Sequence, residues 1–115
     1  MIFEEYVDII KSSEVNDKCP VKKSLEVLDG KWRIHVLFEL SKKDTRRFGE
    51  LKRAIPKITN TMLTSTLRDL EDAGVVDRKQ FNEMPPRVEY SLTESGKALI
   101  PIFFEIAKWG AKYLL

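Results

Sequence analysis

The sequence predicts an α+β domain in which helices precede and follow a small antiparallel hairpin. Apolar residues recur at helical spacing as far as Gly74, after which the period changes from about 3.6 to 2 over two short segments. A final apolar segment then returns to helical spacing. These three observations predict a single domain over residues 1–115, with a helical body, one hairpin and a closing helix.

Length and composition exclude several classes of protein. The 115 residues suffice for one modest hydrophobic core, and 43% apolar with 33% charged residues is typical of a globular chain. No apolar run approaches the roughly 20 residues that cross a bilayer, and the acidic start lacks the basic region of a secretory signal. A single cysteine excludes an internal disulfide. We therefore expect a cytoplasmic protein without membrane association.

The charge is unevenly distributed along the chain, although the net charge is only +2. Residues 31–57 contain nine Lys or Arg and three acids, which gives +6, whereas residues 1–20 contain two lysines and five acids, which gives −3. A basic stretch of this kind suits contact with phosphates. Taken alone, such a stretch is more often an ordinary solvated helix face.

Three helices are expected before residue 45. The first covers about residues 2–11 and is followed by a polar link at residues 12–18. The second begins at Pro20, because proline suits the first turn of a helix, and ends at Asp29-Gly30. The third carries Trp32 and Leu40 and ends in the charged turn at residues 41–44.

Two further short helices are separated only by Pro56-Lys57-Ile58. The second of them starts after Thr59, a good N-cap residue, and repeats leucines at positions 63, 67 and 70 until Gly74. Two helices joined by so short a turn are typical of a helix-turn-helix, which we place at about residues 47–73.

The segments Val76–Phe81 and Arg87–Leu92 alternate in polarity and predict a hairpin over about residues 75–92. The short segment of residues 45–47 is a candidate third strand of the sheet. Thr93 then caps a final helix over about residues 94–114, in which Pro101 should cause a kink because it lacks a backbone donor. A hairpin directly after a helix-turn-helix is a wing, so the predicted fold is a winged helix-turn-helix.

The helix that follows the turn has a polar face opposite its leucines. This face carries short polar side chains and one arginine, which suit the base edges and phosphates of a major groove in double-stranded DNA, whereas an ordinary surface helix more often carries Glu and Lys. Basic residues nearby suit phosphate contact; Arg87 enters the minor groove or instead pairs with Glu83 or Glu89. The candidate DNA-contacting residues are Arg46, Arg47, Lys57, Thr59, Asn60, Thr61, Thr64, Ser65, Arg68, Arg78 and Arg87.

Several motifs carry a family resemblance over roughly residues 19–110. They are Cys19-Pro20, Gly30-Lys31-Trp32, Arg47-Phe48-Gly49-Glu50-Leu51, Thr61-Met62-Leu63 with Leu67, Leu70, Glu71 and Gly74, then Pro85-Pro86-Arg87-Val88-Glu89-Tyr90, Leu92-Thr93, Gly96 and Trp109-Gly110. Together they resemble the HxlR family of winged-helix regulators, within the broader MarR-like group. This resemblance implies a bacterial or archaeal transcription regulator, repressor or activator, that binds inverted-repeat operators as a homodimer.

The resemblance also implies dimerisation through the terminal helices, which should then carry surplus apolar surface. The last helix does so, because its apolar residues cover well over half of the helical wheel, whereas one buried side needs a stripe about 100° wide. Such an excess usually indicates a partner. The candidate dimerisation residues are Phe3, Tyr6, Val7, Ile10, Ile102, Phe103, Ile106, Trp109 and Tyr113.

Cys19 is the candidate sensor of a chemical signal. It precedes a helix-initiating proline and lies near Lys18, Lys22 and Lys23, and both features favour the reactive thiolate. The resemblance implies sensing of oxidants or electrophiles at this position. A disulfide would have to join two subunits or use a small-molecule thiol. A small buried hydrophobic residue is an equal alternative.

No residue pattern indicates catalysis, a metal or a cofactor. His35 stands alone without ligands at metal-binding spacing, and there is no phosphate-binding glycine loop or nucleophile–base pair. Two other functions remain open. A small-molecule effector would bind between the dimer helices near Trp32 or Trp109, or the fold serves only as a protein-interaction module.

Overall fold

The computed structural model describes residues 1–12 and 19–115, so most of the expected polar link lies outside the described residues. The elements are α1 (Phe3–Ser12), α2 (Pro20–Leu28), α3 (Arg33–Ser41), β1 (Arg46–Arg47), α4 (Phe48–Ala54), α5 (Asn60–Asp72), β2 (Val76–Phe81), β3 (Arg87–Leu92), α6 (Glu94–Lys97) and α7 (Leu99–Tyr113). None of these helices is both long and apolar enough to cross a membrane.

The described strands form an antiparallel sheet in the order β1-β3-β2. In the hairpin, Val76 pairs with Leu92 at one end and Phe81 with Arg87 at the other. The expected third strand is confirmed, because Arg46 pairs with Tyr90 and so attaches β1 to the other edge of β3. The fold is therefore a winged helix-turn-helix, with α4 and α5 as the helix pair and β2–β3 as the wing.

The capping residues predicted from the sequence are found at the helix ends. Pro20 is the first residue of α2, and the Thr59 hydroxyl accepts a hydrogen bond of 3.1 Å from the Met62 backbone N–H at the start of α5. Gly74 adopts a left-handed φ of 80°, which allows the carbonyls at the end of α5 to be satisfied after the helix stops. Thr93 caps α6 by accepting from the Gly96 N–H at 3.2 Å.

The closing helix differs from its prediction, since it is two helices that meet at Ala98 and not one helix with a kink at Pro101. The physical reason is the hydrogen-bonding pattern. Pro101 is the third residue of α7, where a backbone N–H would have no partner within α7. Its missing donor would have reached back to Lys97, across the junction, so the helix is interrupted before the proline.

The core lies between α3, α4, α5 and the inner face of the sheet. Its buried residues are Val36, Leu37, Leu40, Leu51, Ile55, Ile58, Leu63, Leu67, Leu70, Val75, Val76 and Leu92. In contrast, α1 and α7 contain no buried residue. The Cα radius of gyration is 16.7 Å, against about 13 Å for a compact domain of 100 residues. No residue of α1 therefore joins the core, and α7 meets it through the partly buried Leu99 and Phe103, so both helices lengthen the molecule.

Candidate nucleic-acid interface

The helix α5 has one buried and one exposed side. Leu63, Leu67 and Leu70 are at most 2% exposed and fasten α5 to the core. The polar residues predicted to read DNA all lie in solvent; these are Thr61, Thr64, Ser65 and Arg68. Short side chains beside one arginine leave the backbone of α5 free to approach a groove closely. This exposed side is the polar face of α5.

The turn before α5 has buried residues at its two ends and exposed residues between them. Ile55 and Ile58 are buried on either side of it, while Lys57 adopts a left-handed φ of 72° and projects from the surface. Thr59 and Asn60 are exposed at the first turn of α5. Backbone N–H groups at a helix N-terminus attract anions, so this end of α5 suits a phosphate.

Arg47 is exposed and lies at the N-cap position of α4. Its backbone N–H donates a 2.8 Å hydrogen bond to the Glu50 carboxylate, and this bond holds the pKa of Glu50 below its ordinary value, with nearby basic side chains adding to the effect. The Arg47 guanidinium is thus free of that local contact, whereas its backbone is held firmly at the start of the helix pair.

Arg46 requires a correction, because its side chain does not face the solvent as a phosphate contact would. Its guanidinium donates to the Glu39 carboxylate at 2.9 Å and to the Glu39 carbonyl at 3.1 Å. Alternation along β1 directs Arg46 inward and Arg47 outward, since successive strand residues point to opposite faces. A charge that is desolvated and paired in this way is held in the protein, so Arg46 is removed from the candidate interface.

Arg87 pairs with acidic side chains of the hairpin, which was the alternative to entering the minor groove. It pairs with Glu83 at 3.3 Å and with Glu89 at 3.5 Å, and its guanidinium carbon lies 4.0 Å from the centre of the Phe81 ring. These contacts hold Arg87 within the hairpin. Arg78 on β2 is exposed, so it offers the wing a cation for a phosphate.

Cys19 is the N-cap residue of α2 and is half-buried. Its side chain makes no capping hydrogen bond, whereas its carbonyl accepts from the Lys23 N–H at 3.0 Å. Lys18, expected to lie near the thiol, is outside the described residues. Within residues 1–12 and 19–115, no group of three His, Cys, Asp or Glu side chains is placed to hold a metal ion.

The terminal helices expose most of the candidate dimerisation residues. Trp109 and Tyr113 are 56% and 62% exposed, and their rings pack together with centroids 5.7 Å apart. The others with large exposed side chains are Phe3, Ile10, Ile102 and Ile106, while Tyr6 and Val7 are half-buried. Phe103 differs, because it packs on the core and meets Phe38 edge-on at 5.1 Å.

A shallow cleft of about 190 Å³ lies between the end of α3 and the start of α7. It is lined by Leu40, Ser41, Lys42, Lys43, Asp44, Leu92, Lys97 and Ile100. Pockets for small molecules usually enclose roughly 300 Å³ or more. Neither Trp32 nor Trp109 lines this cleft, so it does not correspond to the expected effector site.

Sequence analysis missed one link between distant elements. Arg33, the first residue of α3, donates to Asp69 on α5 at 3.0 Å, although the two residues are 36 positions apart. Taken separately, an arginine at a helix start and an aspartate on a surface helix are both expected to lie in solvent. Only knowledge of which distant residues come into contact would connect them.

Comparison with known proteins identifies the family. Residues 27–115 match the model of the HxlR-like helix-turn-helix family. The chain belongs to the HxlR family. An HTH-type transcriptional regulator of Methanothermobacter thermautotrophicus is 48% identical over 95 residues, covering 83% of this chain and 72% of that protein. This HxlR-family protein is accordingly a transcriptional regulator with a helix-turn-helix DNA-binding domain.

Solved structures agree with this family assignment. A MarR-family transcriptional regulator from Porphyromonas gingivalis W83 is 44% identical, with a TM-score of 0.79 over 89% of this chain and 99% of that chain. The redox regulator HypR in its oxidised form is 42% identical, with a TM-score of 0.72 over 82% of this chain and 96% of that chain. The winged-helix arrangement is thus shared with regulators of known structure.

Proposed function

We propose that this HxlR-family regulator binds an inverted-repeat operator as a homodimer, with the polar face of each α5 in a major groove. The observation that carries the proposal is the arrangement of α5 itself. Its leucines are buried in a rigid core, while Thr61, Thr64, Ser65 and Arg68 share its exposed side. A recognition helix of this kind reads base edges with a few side chains held in register by the domain.

Phosphate contacts are assigned to the exposed residues around the polar face. Thr59 and Asn60 lie at the positive end of the α5 dipole, and Lys57 projects from the turn before it. Arg47 and Arg78 extend this set to α4 and the wing. Contacts of this type position a regulator on DNA and provide affinity without reading the sequence.

Dimerisation is supported by the apolar side chains of α1 and α7. A monomer would leave the side chains of Ile102, Ile106 and Trp109 about half exposed on one helix, and exposed apolar patches of this kind usually mark an interface. A two-fold dimer joined there would present two polar faces to one side of DNA. Operator half-sites about one helical turn apart match such symmetry.

The binding test compares a duplex from upstream of the protein's own gene with a random duplex of equal length, at physiological salt. We expect a clear preference for the upstream duplex. Thr64→Ala combined with Arg68→Ala should weaken that specific binding about tenfold or more, because one bidentate base contact is worth roughly 1–3 kcal/mol.

Lys97→Ala on α6 serves as the control, since it removes one exposed positive charge outside both α5 and the proposed dimer helices α1 and α7. Equal binding of both duplexes by the unmodified protein would reject operator recognition and favour a protein-interaction module.

We further propose that Cys19 makes operator binding sensitive to oxidants. Cys19 is the N-cap residue of α2, its side chain makes no capping hydrogen bond and it is only half-buried, so an oxidant can reach the thiol. The similarity to the redox regulator HypR supports the same proposal. Two thiols, from two subunits or from one subunit and a small-molecule thiol, lose two protons and two electrons to an oxidant and form one disulfide.

Diamide, a two-electron thiol oxidant, tests this response directly. Treatment should weaken operator binding, a reductant should restore it, and the Cys19→Ser variant should bind equally well before and after treatment. If Cys19→Ser remains sensitive to diamide, or the unmodified protein is insensitive, Cys19 is not the sensor.

A further inference from the structure

The side chain of Arg33 connects three helices at one point. Its Nη1 donates to the backbone carbonyls of Glu26 at 2.9 Å and Val27 at 3.2 Å, in the last turn of α2. Its Nη2 donates to the carboxylate of Asp69 on α5 at 3.0 Å. Arg33 itself begins α3. One planar guanidinium therefore links α2, whose N-cap is Cys19, to the helix that carries the polar face.

Local geometry prepares this position for an arginine. The last carbonyls of a helix have no N–H partner within it, and those of Glu26 and Val27 are satisfied here by Arg33. Gly30 provides the space, because a Cβ at this position would lie 2.9 to 3.2 Å from atoms of the Arg33 side chain. A lysine could not reproduce the contacts, since it lacks the fixed fork of donors.

Asp69 lies at the border of the polar face, directly after Arg68. Its side chain is 47% exposed, whereas that of Arg33 is 23% exposed. An uncompensated carboxylate at this border would repel the phosphates that the neighbouring basic residues attract. The bond from Arg33 neutralises that charge. Since Asp69 is exposed and so lies apart from the buried leucines, the bond ties a second side of α5 to Arg33 and, through it, to the last turn of α2.

We propose that Arg33 is a positioning residue for operator recognition, which holds the polar face of α5 in register with α2 without itself contacting DNA. The proposal rests on the proposed function of α5. A partly exposed ion pair contributes little to global stability. Its effect is expected instead in the orientation of α5, on which every base contact of that helix depends.

Two matched substitutions on α5 test the role of Arg33, because only one of them should weaken binding to the upstream duplex. Asp69→Ala and Asp72→Ala each remove one negative charge from the same helix and leave a good helix former. Loss of a negative charge beside DNA should strengthen binding, and Asp72→Ala should strengthen binding to the upstream and random duplexes or leave it unchanged. Asp69→Ala should instead weaken binding to the upstream duplex at least fivefold, without weakening binding to the random duplex.

Salt dependence separates positioning from direct contact. A phosphate-contacting arginine changes the slope of log K against log salt by about 0.9 when it is removed. Arg33→Met should weaken upstream binding at least fivefold with the slope unchanged, and Arg33→Lys should restore it only partly. A slope change near 0.9 would show that Arg33 contacts phosphate, and unchanged affinity would show a purely structural pair.

Failure of this proposal is distinguishable from failure of the proposed function. If the unmodified protein does not discriminate between the duplexes, operator recognition itself is rejected. If it discriminates and Asp69→Ala discriminates equally well, only the role of Arg33 is rejected. Because Asp69→Ala leaves α3 unaltered, it decides the matter even if Arg33→Met does not fold.

Discussion

Glu39 on α3 and Arg46 on β1 form an ion pair of 2.9 Å, with side chains only 8% and 10% exposed. Arg46 also donates to the Glu39 carbonyl, and Lys42 donates to the other carboxylate oxygen at 2.7 Å. Since Arg46 pairs with Tyr90 in the sheet, this contact joins the helical body to the wing. The buried charge pair thereby ties β1, and through it the wing, to α3.

Removing either partner of this pair should destabilise the fold. Arg46→Met leaves the buried Glu39 carboxylate with Lys42 alone as its cationic partner, and breaking a buried ion pair typically costs about 3 kcal/mol or more. The free energy of unfolding in urea measures this loss. The double variant Glu39→Gln with Arg46→Met is the control and should recover part of it, because no uncompensated charge remains. Equal stability of all three proteins would show that the pair contributes nothing.

The same pair predicts a dependence of stability on acid. The hydrogen bond from Lys42, followed by that from Arg46, holds the pKa of Glu39 below its ordinary value of 4.5. In the unfolded chain the carboxyl therefore takes up its proton at higher pH than in the folded protein. The stabilisation is complete above pH 4.5 and is lost as pH falls through the lower folded value. Urea unfolding between pH 6 and pH 3 should show a shallower decline for Glu39→Gln; parallel curves would contradict this.

Lys57 and Arg78 should behave as phosphate contacts. Each single alanine substitution is expected to weaken binding to the upstream and random duplexes alike, and to reduce the slope of log K against log salt by about 0.9. Base-reading residues differ, because their loss mainly weakens the upstream duplex. Titrations at several salt concentrations distinguish the two patterns. A loss confined to the upstream duplex would reassign the residue to base reading.

Dimerisation should depend on the exposed apolar side of α7. Ile106→Glu places a charge among exposed apolar side chains that include Ile102 and Trp109, and should shift the protein to monomer in sedimentation velocity at micromolar concentration. Met84→Glu is the matched control, because Met84 is 96% exposed at the tip of the wing. If both variants sediment as the unmodified protein does, α7 is not the dimer interface.

Gly96 should tolerate no side chain. A Cβ at this position would collide with the backbone carbonyl oxygen of Val75 and approach a methyl group of Leu92 to 3.2 Å. Because a backbone atom cannot rotate away, Gly96→Ala should destabilise the protein by roughly 1–3 kcal/mol, as other overpacked sites do. Gly49→Ala is the control, since its nearest neighbour is the flexible end of Arg53 at 3.4 Å. Thermal unfolding should therefore show a lower Tm for Gly96→Ala than for Gly49→Ala.

Local signals in the sequence determined the helix pair, the wing and the polar face of α5. Caps such as Thr59 and Thr93, and the periods of 3.6 and 2, depend on residues a few positions apart, so they are legible without tertiary information. Buried and exposed sides of α5 followed from the spacing of Leu63, Leu67 and Leu70 for the same reason.

The tertiary structure alone decided the partners of the charged side chains. Arg46 and Arg87 are residue types that commonly contact DNA. In the folded protein, however, Arg46 pairs with Glu39, and Arg87 pairs with Glu83 within the hairpin. Arg33 and Asp69 are likewise ordinary surface residues until the fold brings them to 3.0 Å. A long cationic side chain can reach either solvent or a protein carboxylate, and only the packing of distant elements determines which one lies within reach.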